Sequence, residues 1–237
     1  MLKLSNRMMA IANLVEPCDV IVDVGTDHGF LPIYLVKNQV CSKAIAVDVN
    51  QGPLMRAQEH IEQEELTNRI TTRLSNGFMA IEPGEAQAAI IAGMGGLLME
   101  SILTNGETVT AKMSQLVLQP QSDFLSFRRF LYRAHYDILE ENMIYEDGKY
   151  YTIFKVSPNS NCSESDFEQL LPEEKRYGCY FFANSNAVFK QYLKHEQKVN
   201  DQVKQRLLLA MDCAKIEIRK KEVEEKLSII QSALKRM

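Results

Sequence analysis

Between residues 20 and 156, short β-branched runs alternate with stretches whose apolar residues recur at helical spacing. Strands are expected at 20–24, 44–49, 70–73, 88–92, 115–118, 136–145 and 150–156. Helices are expected at 31–38, 53–65, briefly near Phe78, then at 97–105 and 123–134, with a leading helix over 3–15 leaning on the sheet. VIVDV, AIAVDV and AAIIA are almost continuously apolar, as strands are when helices cover both faces of a parallel sheet. Glu146-Asp147-Gly148-Lys149 is a turn signal, so the last two strands pair as an antiparallel hairpin. Five β-α units closed by a hairpin predict an α/β, doubly wound, mostly parallel sheet with one reversed edge strand.

The pattern changes after residue 157. Residues 158–185 open with a polar stretch containing Pro158 and read as a linker with a short helical segment. From 186 to 237 there is no Pro or Gly. Apolar residues follow helical spacing through Val188, Tyr192, Val199, Val203 and Leu207, then Val223, Leu227, Ile230 and Leu234. One helix of that length would extend roughly 75 Å at ~1.5 Å per residue. A coiled-coil hairpin turning near Asp212–Lys215 would bury the seam against itself. The division expected is therefore 1–157 as the ligand-binding α/β domain, 158–185 as connector and 186–237 as a C-terminal helical domain.

Charge adds to this division. The 237 residues carry a net −4, which argues against a generally basic nucleic-acid coat. By region the balance is −6 over 1–155, −3 over 156–185 and +5 over 186–237. An acidic body thus bears a basic tail, and a polyanionic partner stays open. Five scattered cysteines and four dispersed histidines give no zinc spacing, so no metal is expected and the thiols fit a reducing, cytoplasmic setting. The longest uncharged run, 86–99, is too short to span a bilayer, and the N-terminus lacks a convincing cleavage site. No membrane association is expected.

The densest chemistry lies in Asp23-Val24-Gly25-Thr26-Asp27-His28-Gly29, after the first strand. A glycine turn there lets backbone approach a ligand at the switch point of a doubly wound sheet. Asp27 occupies the second glycine position of the dinucleotide fingerprint, and a carboxylate there is a poor neighbour for pyrophosphate. It tolerates S-adenosylmethionine, which carries a sulfonium and an amino group. Asp48, with Val49, ends the second strand where a ribose needs a two-acceptor partner; capping the next helix is the plainer role. Asn76-Gly77 follows the third strand, either as an adenine contact or as an ordinary turn. Gly93-Met94-Gly95-Gly96 follows the fourth, as the floor of a pocket or as tight helix–sheet packing. Gln119-Pro120-Gln121 follows the fifth.

With these segments together, DVGTDHGFLPIYL (23–35), IAGMGG (91–96), LQPQ (118–121), the opening LKLSNR and the EDGKYY hairpin, the sequence resembles the bacterial tRNA (adenine-22-N1)-methyltransferase family, TrmK. One departure is Gln121, where many members have LQPN. The resemblance implies a Rossmann-like fold, S-adenosylmethionine as cofactor and methylation of N1 of an adenine in the D-arm region of tRNA. It places the cofactor pocket on Asp23, Gly25, Asp48, Asn76 and Gly77, to which the turn residues Thr26, His28, Val49, Gly93 and Met94 are added. It points to Asp27 as the catalytic group. N1 of neutral adenine already carries an in-plane lone pair, so alignment supplies most of the catalysis. Asp27 would accept a hydrogen bond from N6 as the ring becomes cationic, with Gln121 assisting and His28 the alternative base. The base must be extruded to react; Phe30, Tyr34, Gly95 and Gln121 are candidates to hold it. Lys198, Arg206 and Lys220 represent the basic tail that would meet tRNA phosphates, extended by Lys3, Arg7, Arg128, Arg129 and Arg133. A monomer is expected rather than an obligate oligomer. A small-molecule methyltransferase and a non-enzymatic helical adaptor are the rival readings.

Overall fold

The computed structural model describes residues 4–184, 186–209 and 214–237. The expected alternation forms α1 (Asn6–Asn13), β1 (Cys18–Val24), α2 (Phe30–Lys37), β2 (Cys41–Asp48), α3 (Gln51–Gln63), β3 (Ile70–Leu74) and β4 (Ala88–Met94). It continues through α4 (Gly96–Asn105), α5 (Glu107–Thr110), β5 (Gln115–Pro120), α6 (Phe124–Arg133), β6 (Asp137–Glu146) and β7 (Lys149–Ser157). One seven-stranded sheet runs in the order β3-β2-β1-β4-β5-β7-β6. The first five strands pair in parallel, whereas β7 runs antiparallel to both β5 and β6. The hairpin is the edge, as its turn signal predicts, yet the reversed strand is β7, second from the edge, and not the outermost β6. Asp147 and Gly148 both take positive φ, 49° and 78°, the conformation a two-residue hairpin turn requires.

Alternation along each strand divides the core into two layers. Ile21, Ile90 and Val117 face the layer built from α1, α2 and α3, while Val22, Ile91, Leu116 and Leu118 face the layer of α4 and α6. Each such side chain, when fully buried, contributes about 1.5–3 kcal/mol. All seven are covered to within 1% of their surface, so the sheet is sandwiched on both faces.

The helix expected near Phe78 is replaced by a turn. Gly77 sits at φ 60°, the left-handed region that interrupts a right-handed helix. The Ser75 hydroxyl donates to the Gly77 carbonyl at 2.8 Å and accepts from the Ala80 amide at 3.0 Å. Phe78 drops into the core against Gly106, where any Cβ would collide with its ring. The apolar spacing that mimics a helix here is a plug.

Contact density divides the chain into two compact units at Glu168/Gln169. Around that boundary lie three short helices, α7 (Glu164–Gln169), α8 (Pro172–Tyr177) and α9 (Tyr180–Ala183). The second unit is dominated by α10 (Ala187–Leu208) and α11 (Ala214–Lys235), 22 residues each, linked by the Lys204–Glu224 ion pair at 2.9 Å. Asn186 caps α10 by accepting from the Phe189 amide at 2.9 Å. The seam on α11 uses Val223, Leu227 and Ile230, as the periodicity predicts. On α10 it shifts by one residue: Phe189 and Leu193 are buried, and Val199 is exposed. The base of this unit holds a polar knot in which the Tyr177 hydroxyl donates to Glu196 at 2.6 Å and Arg176 reaches the same carboxylate. Burial and the Glu196 charge push the Tyr177 hydroxyl well above its ordinary pKa. Asp212 and Cys213, at the expected turn, and Lys3 lie outside the described residues.

Candidate active site

The carboxyl ends of β1, β2 and β4 open beside each other because the strand order reverses at β1. There a cleft of about 310 Å³ is lined by Arg7, Met8, Asp23, Gly25, Asp27, His28, Phe30, Leu31, Ala92, Gly93 and Gln121. Six predicted residues, Asp23, Gly25, Asp27, His28, Gly93 and Gln121, and the candidate base contact Phe30 therefore share one cavity.

The β1–α2 turn is held by backbone first. The Gly25 and Thr26 amides donate to the Val47 carbonyl at 2.8 and 2.9 Å, tying the turn to β2. Gly25 has φ 76°, and a Cβ there would overlap the Met94 methyl, so β1 and β4 approach through a missing side chain. Asp23 is 7% exposed. Burial pushes its carboxyl up to about 6, the Thr26 side chain opposes this and the Asp48 charge adds to it. The Thr26 hydroxyl faces Asp23, and the buried His28 Nδ1 has no protein hydrogen-bond partner, a polar atom left for a ligand. Asp48 Oδ1 accepts from the Asn50 amide at 2.7 Å, so one oxygen does serve the start of α3.

Asp27 lies at the mouth, its side chain 61% exposed. Arg56 of α3 donates to its Oδ1 at 2.8 Å, and His28 Nε2 is 3.6 Å from that same oxygen. One turn along α3, His60 Nδ1 meets the His28 carbonyl at 2.9 Å. His28, Phe30 and His60 stack with ring centroids 5.1–5.4 Å apart. One face of α3, at spacing i and i+4, thus grips the β1–α2 turn from outside. Arg56 and His60 escaped the sequence reading, and their spacing four apart was the available signal.

Across the cleft, Gln121 follows β5 with its amide N–H on the Met94 carbonyl at 2.8 Å, and its side-chain nitrogen borders Gly93. Gly95 and Gly96 lead into α4, where a Cβ on Gly96 would stand 2.7 Å from the Ser122 carbonyl oxygen. Tight packing therefore explains Gly96, whereas at Gly93 the left-handed backbone (φ 80°) is the constraint, since a Cβ would meet only the Gln121 side-chain nitrogen at 3.7 Å and Arg7 Nη1 at 3.9 Å.

Other expectations are placed elsewhere. Exposed Val49, exposed Asn76 and buried Gly77 lie on the turns after β2 and β3, outside the lining of this cleft, and Tyr34 packs against the α1–α3 core layer. Arg128 is no surface contact: it is buried against Phe154 and sends two N–H groups, at 3.0 and 2.6 Å, to one oxygen of buried Glu141. Arg129 pairs with Glu168 at 2.7 Å. Lys198 and Arg206 line a shallow trough along α10 with Lys194, Gln197, Asp201, Gln202 and Gln205. Lys220 pairs with Glu217 at 2.7 Å. Among the described residues no group of three His, Cys, Asp or Glu could hold a metal, and no helix is long and apolar enough to cross a membrane.

Residues 4–154 match the family model of a methyltransferase domain. The chain is 31% identical over 237 residues to the Bacillus subtilis tRNA (adenine(22)-N(1))-methyltransferase, covering 98% of each protein. It superposes with a TM-score of 0.83 on a Streptococcus pneumoniae protein solved in complex with S-adenosyl-L-methionine, at 29% identity over 98% of this chain and 100% of that one. The M. capricolum TrmK structure with S-adenosyl-homocysteine gives 0.83 at 29% identity over 98% of both chains. A methyltransferase domain over most of the body, and a likeness that runs on through the helical tail, carry one conclusion: the chain belongs to the TrmK family of tRNA (adenine-22-N1)-methyltransferases.

Proposed function

We propose that this chain transfers the methyl group of S-adenosylmethionine to N1 of adenine 22 in tRNA. The observation that carries the reading is the match to the B. subtilis enzyme over 98% of both chains, tail included. The cleft supports it. A buried His28 Nδ1 without a partner, glycines at Gly25 and Gly93 that keep side chains off the cleft wall, and a desolvated carboxylate at Asp23 fit a compact ligand bearing polar and cationic groups. Asp23, Gly25, Thr26, Gly93 and Met94 would hold the methionine end, and Asp48 the ribose hydroxyls. Bound cofactor supplies an electrophilic methyl carbon; the protein supplies alignment and charge.

Asp27 is the base-side carboxylate. Arg56 occupies Oδ1, and Oδ2 has no hydrogen-bond partner among the described residues. Oδ2 accepts a hydrogen bond from N6 and offsets the positive charge that spreads over the ring as N1 is alkylated. Phe30 and His28 offer ring faces at the mouth for the extruded base, and Gln121 offers an amide opposite them. The α10 trough, with Lys194, Lys198 and Arg206, meets phosphates. The chain acts as a monomer in the cytoplasm on this reading.

The test is methylation of unmodified tRNA transcripts, read by nucleoside mass spectrometry with position mapping. One N1-methyladenine at position 22 is expected. Protein that binds cofactor but produces no N1-methyladenine overturns the proposal.

A further inference from the structure

Helix α3 touches three consecutive residues of the β1–α2 turn. Arg56 Nη2 donates to Asp27 Oδ1 at 2.8 Å, and His60 Nδ1 meets the His28 carbonyl at 2.9 Å. A Cβ on Gly29 would stand only 3.2 Å from the Cβ of Ala57, so the helix lies directly on the turn. A carbonyl only accepts, and His60 therefore carries its proton on Nδ1. The turn needs this support. His28 and Gly29 both have positive φ, 63° and 67°, and a histidine keeps that conformation only where its surroundings fix it.

Asp27 has little else to hold it. Its side chain is 61% exposed, and His28 Nε2, at 3.6 Å, is beyond hydrogen-bond reach. Without Arg56 the carboxylate would turn among several rotamers at the cleft mouth. With Arg56 on Oδ1, the other oxygen keeps one direction. An exposed ion pair of this kind adds little to folding. It can order an acceptor before substrate arrives, and that order gains weight once a base covers the mouth and excludes water. The Arg56 charge works against a second role. It stands beside the carboxylate that offsets a developing cation, so acting through charge alone it would slow the reaction, and its removal would speed it. Acting through direction predicts the reverse. We propose that Arg56 is a positioning residue for methyl transfer, which, with His60 steadying the turn, aims Asp27 at N6 of the extruded adenine. This assignment rests on the reading of Asp27 above.

Steady-state methylation of unmodified tRNA transcript by the full chain tests it. Arg56→Met keeps the length of the stem without its donors. It is expected to lower kcat about 10-fold, while the KM for tRNA and the calorimetric affinity for S-adenosylhomocysteine move less than about twofold and thermal stability is unchanged. Arg56→Lys, with one donor in reach, should recover part of the loss. In the Asp27→Ala background, adding Arg56→Met should alter the residual rate less than about twofold, because no carboxylate is left to aim. His60→Ala should lower kcat about threefold, and His60→Asn, whose amide nitrogen replaces Nδ1, should not. A faster Arg56→Met enzyme would overturn the proposal, and so would equal losses with and without Asp27. A raised KM for tRNA with a shallower salt slope and intact kcat would also overturn it, making Arg56 a phosphate contact. Asp27→Ala protein as fast as wild type would instead remove the reading of Asp27 itself, and Arg56 with it.

Discussion

The sheet-end cleft and the α10–α11 tail both rely on charge, in opposite ways. In the cleft few charges are present, and each is fixed: Asp23 is buried, Asp27 is held by Arg56, and Arg7 by Gln119 and Tyr151. Low dielectric strengthens Asp23, and preset geometry aims Asp27 and Arg7. On the tail the charges are many and wet. Arg219–Glu222 and Lys220–Glu217 pair at i, i+3, and Lys204 pairs with Glu224, contacts worth roughly 0–1 kcal/mol each. The cleft works through individual residues, whereas the tail can work only through their number.

Asp27→Ala challenges that contrast most directly. It should lower turnover on tRNA about 10²- to 10⁴-fold while cofactor affinity by calorimetry moves less than about threefold. An unchanged rate removes Asp27 from the chemistry. Gly96→Ala comes next, because its Cβ would press on the Ser122 carbonyl, which cannot move as a side-chain tip can. Chemical denaturation should show a loss of about 1–3 kcal/mol.

Asp23 gives a pH signature. Its carboxyl is raised from 3.8 to about 6 in the folded protein, so the fold binds that proton more tightly than the unfolded chain does. The stability this contributes is full below about pH 3.8 and is lost as pH rises through about 6. Asp23→Asn should remove that loss, seen as the difference between the two proteins' melting profiles from pH 4 to 7. Only the ionised carboxylate pairs with an ammonium, so cofactor affinity should rise about tenfold from pH 5 to 7, and flatten in Asp23→Asn. The smallest effects belong to the tail. Lys194, Lys198 and Arg206 changed together to Ala should raise the KM for tRNA about five- to tenfold and reduce the salt slope of binding by about 2–3. Lys198→Ala alone should cost less than about twofold. A single tail substitution as damaging as Asp27→Ala would erase the distinction between the two regions.

The same contrast governs what the sequence revealed. Strands β1, β2, β4 and β5 were legible because burial on both faces leaves unbroken apolar runs, and the turn at 23–29 because its glycines and aspartates are local in sequence. The plug at Phe78 was misread as a helix: burial of Phe78 and Ile81 at spacing three is the same whether backbone is helical or folded back by Gly77. That Arg7 lines the cleft is not local in sequence, because it depends on α1 meeting Gln119, 112 residues away. Arg128 failed for the same reason, since a charged residue on an amphipathic helix gives no sign that Glu141 waits across the interface. On α10 the seam moved by one residue because Phe189 stacks on Phe181 at 4.6 Å, a partner supplied by the segment read as linker.

The Arg128–Glu141 pair also bears on descent. Both side chains are almost wholly enclosed, 3% and 2% exposed, so losing either one strands the other's charge at a cost of about 3–5 kcal/mol, a large share of a typical domain's stability. Exchanging both for apolar residues of similar volume can be nearly neutral. The two positions are therefore separated from their alternatives by a valley that single changes cannot cross cheaply. Within a lineage they should be inherited as one character, kept together or replaced together, and a homologue with only one of them should carry a compensating neighbour.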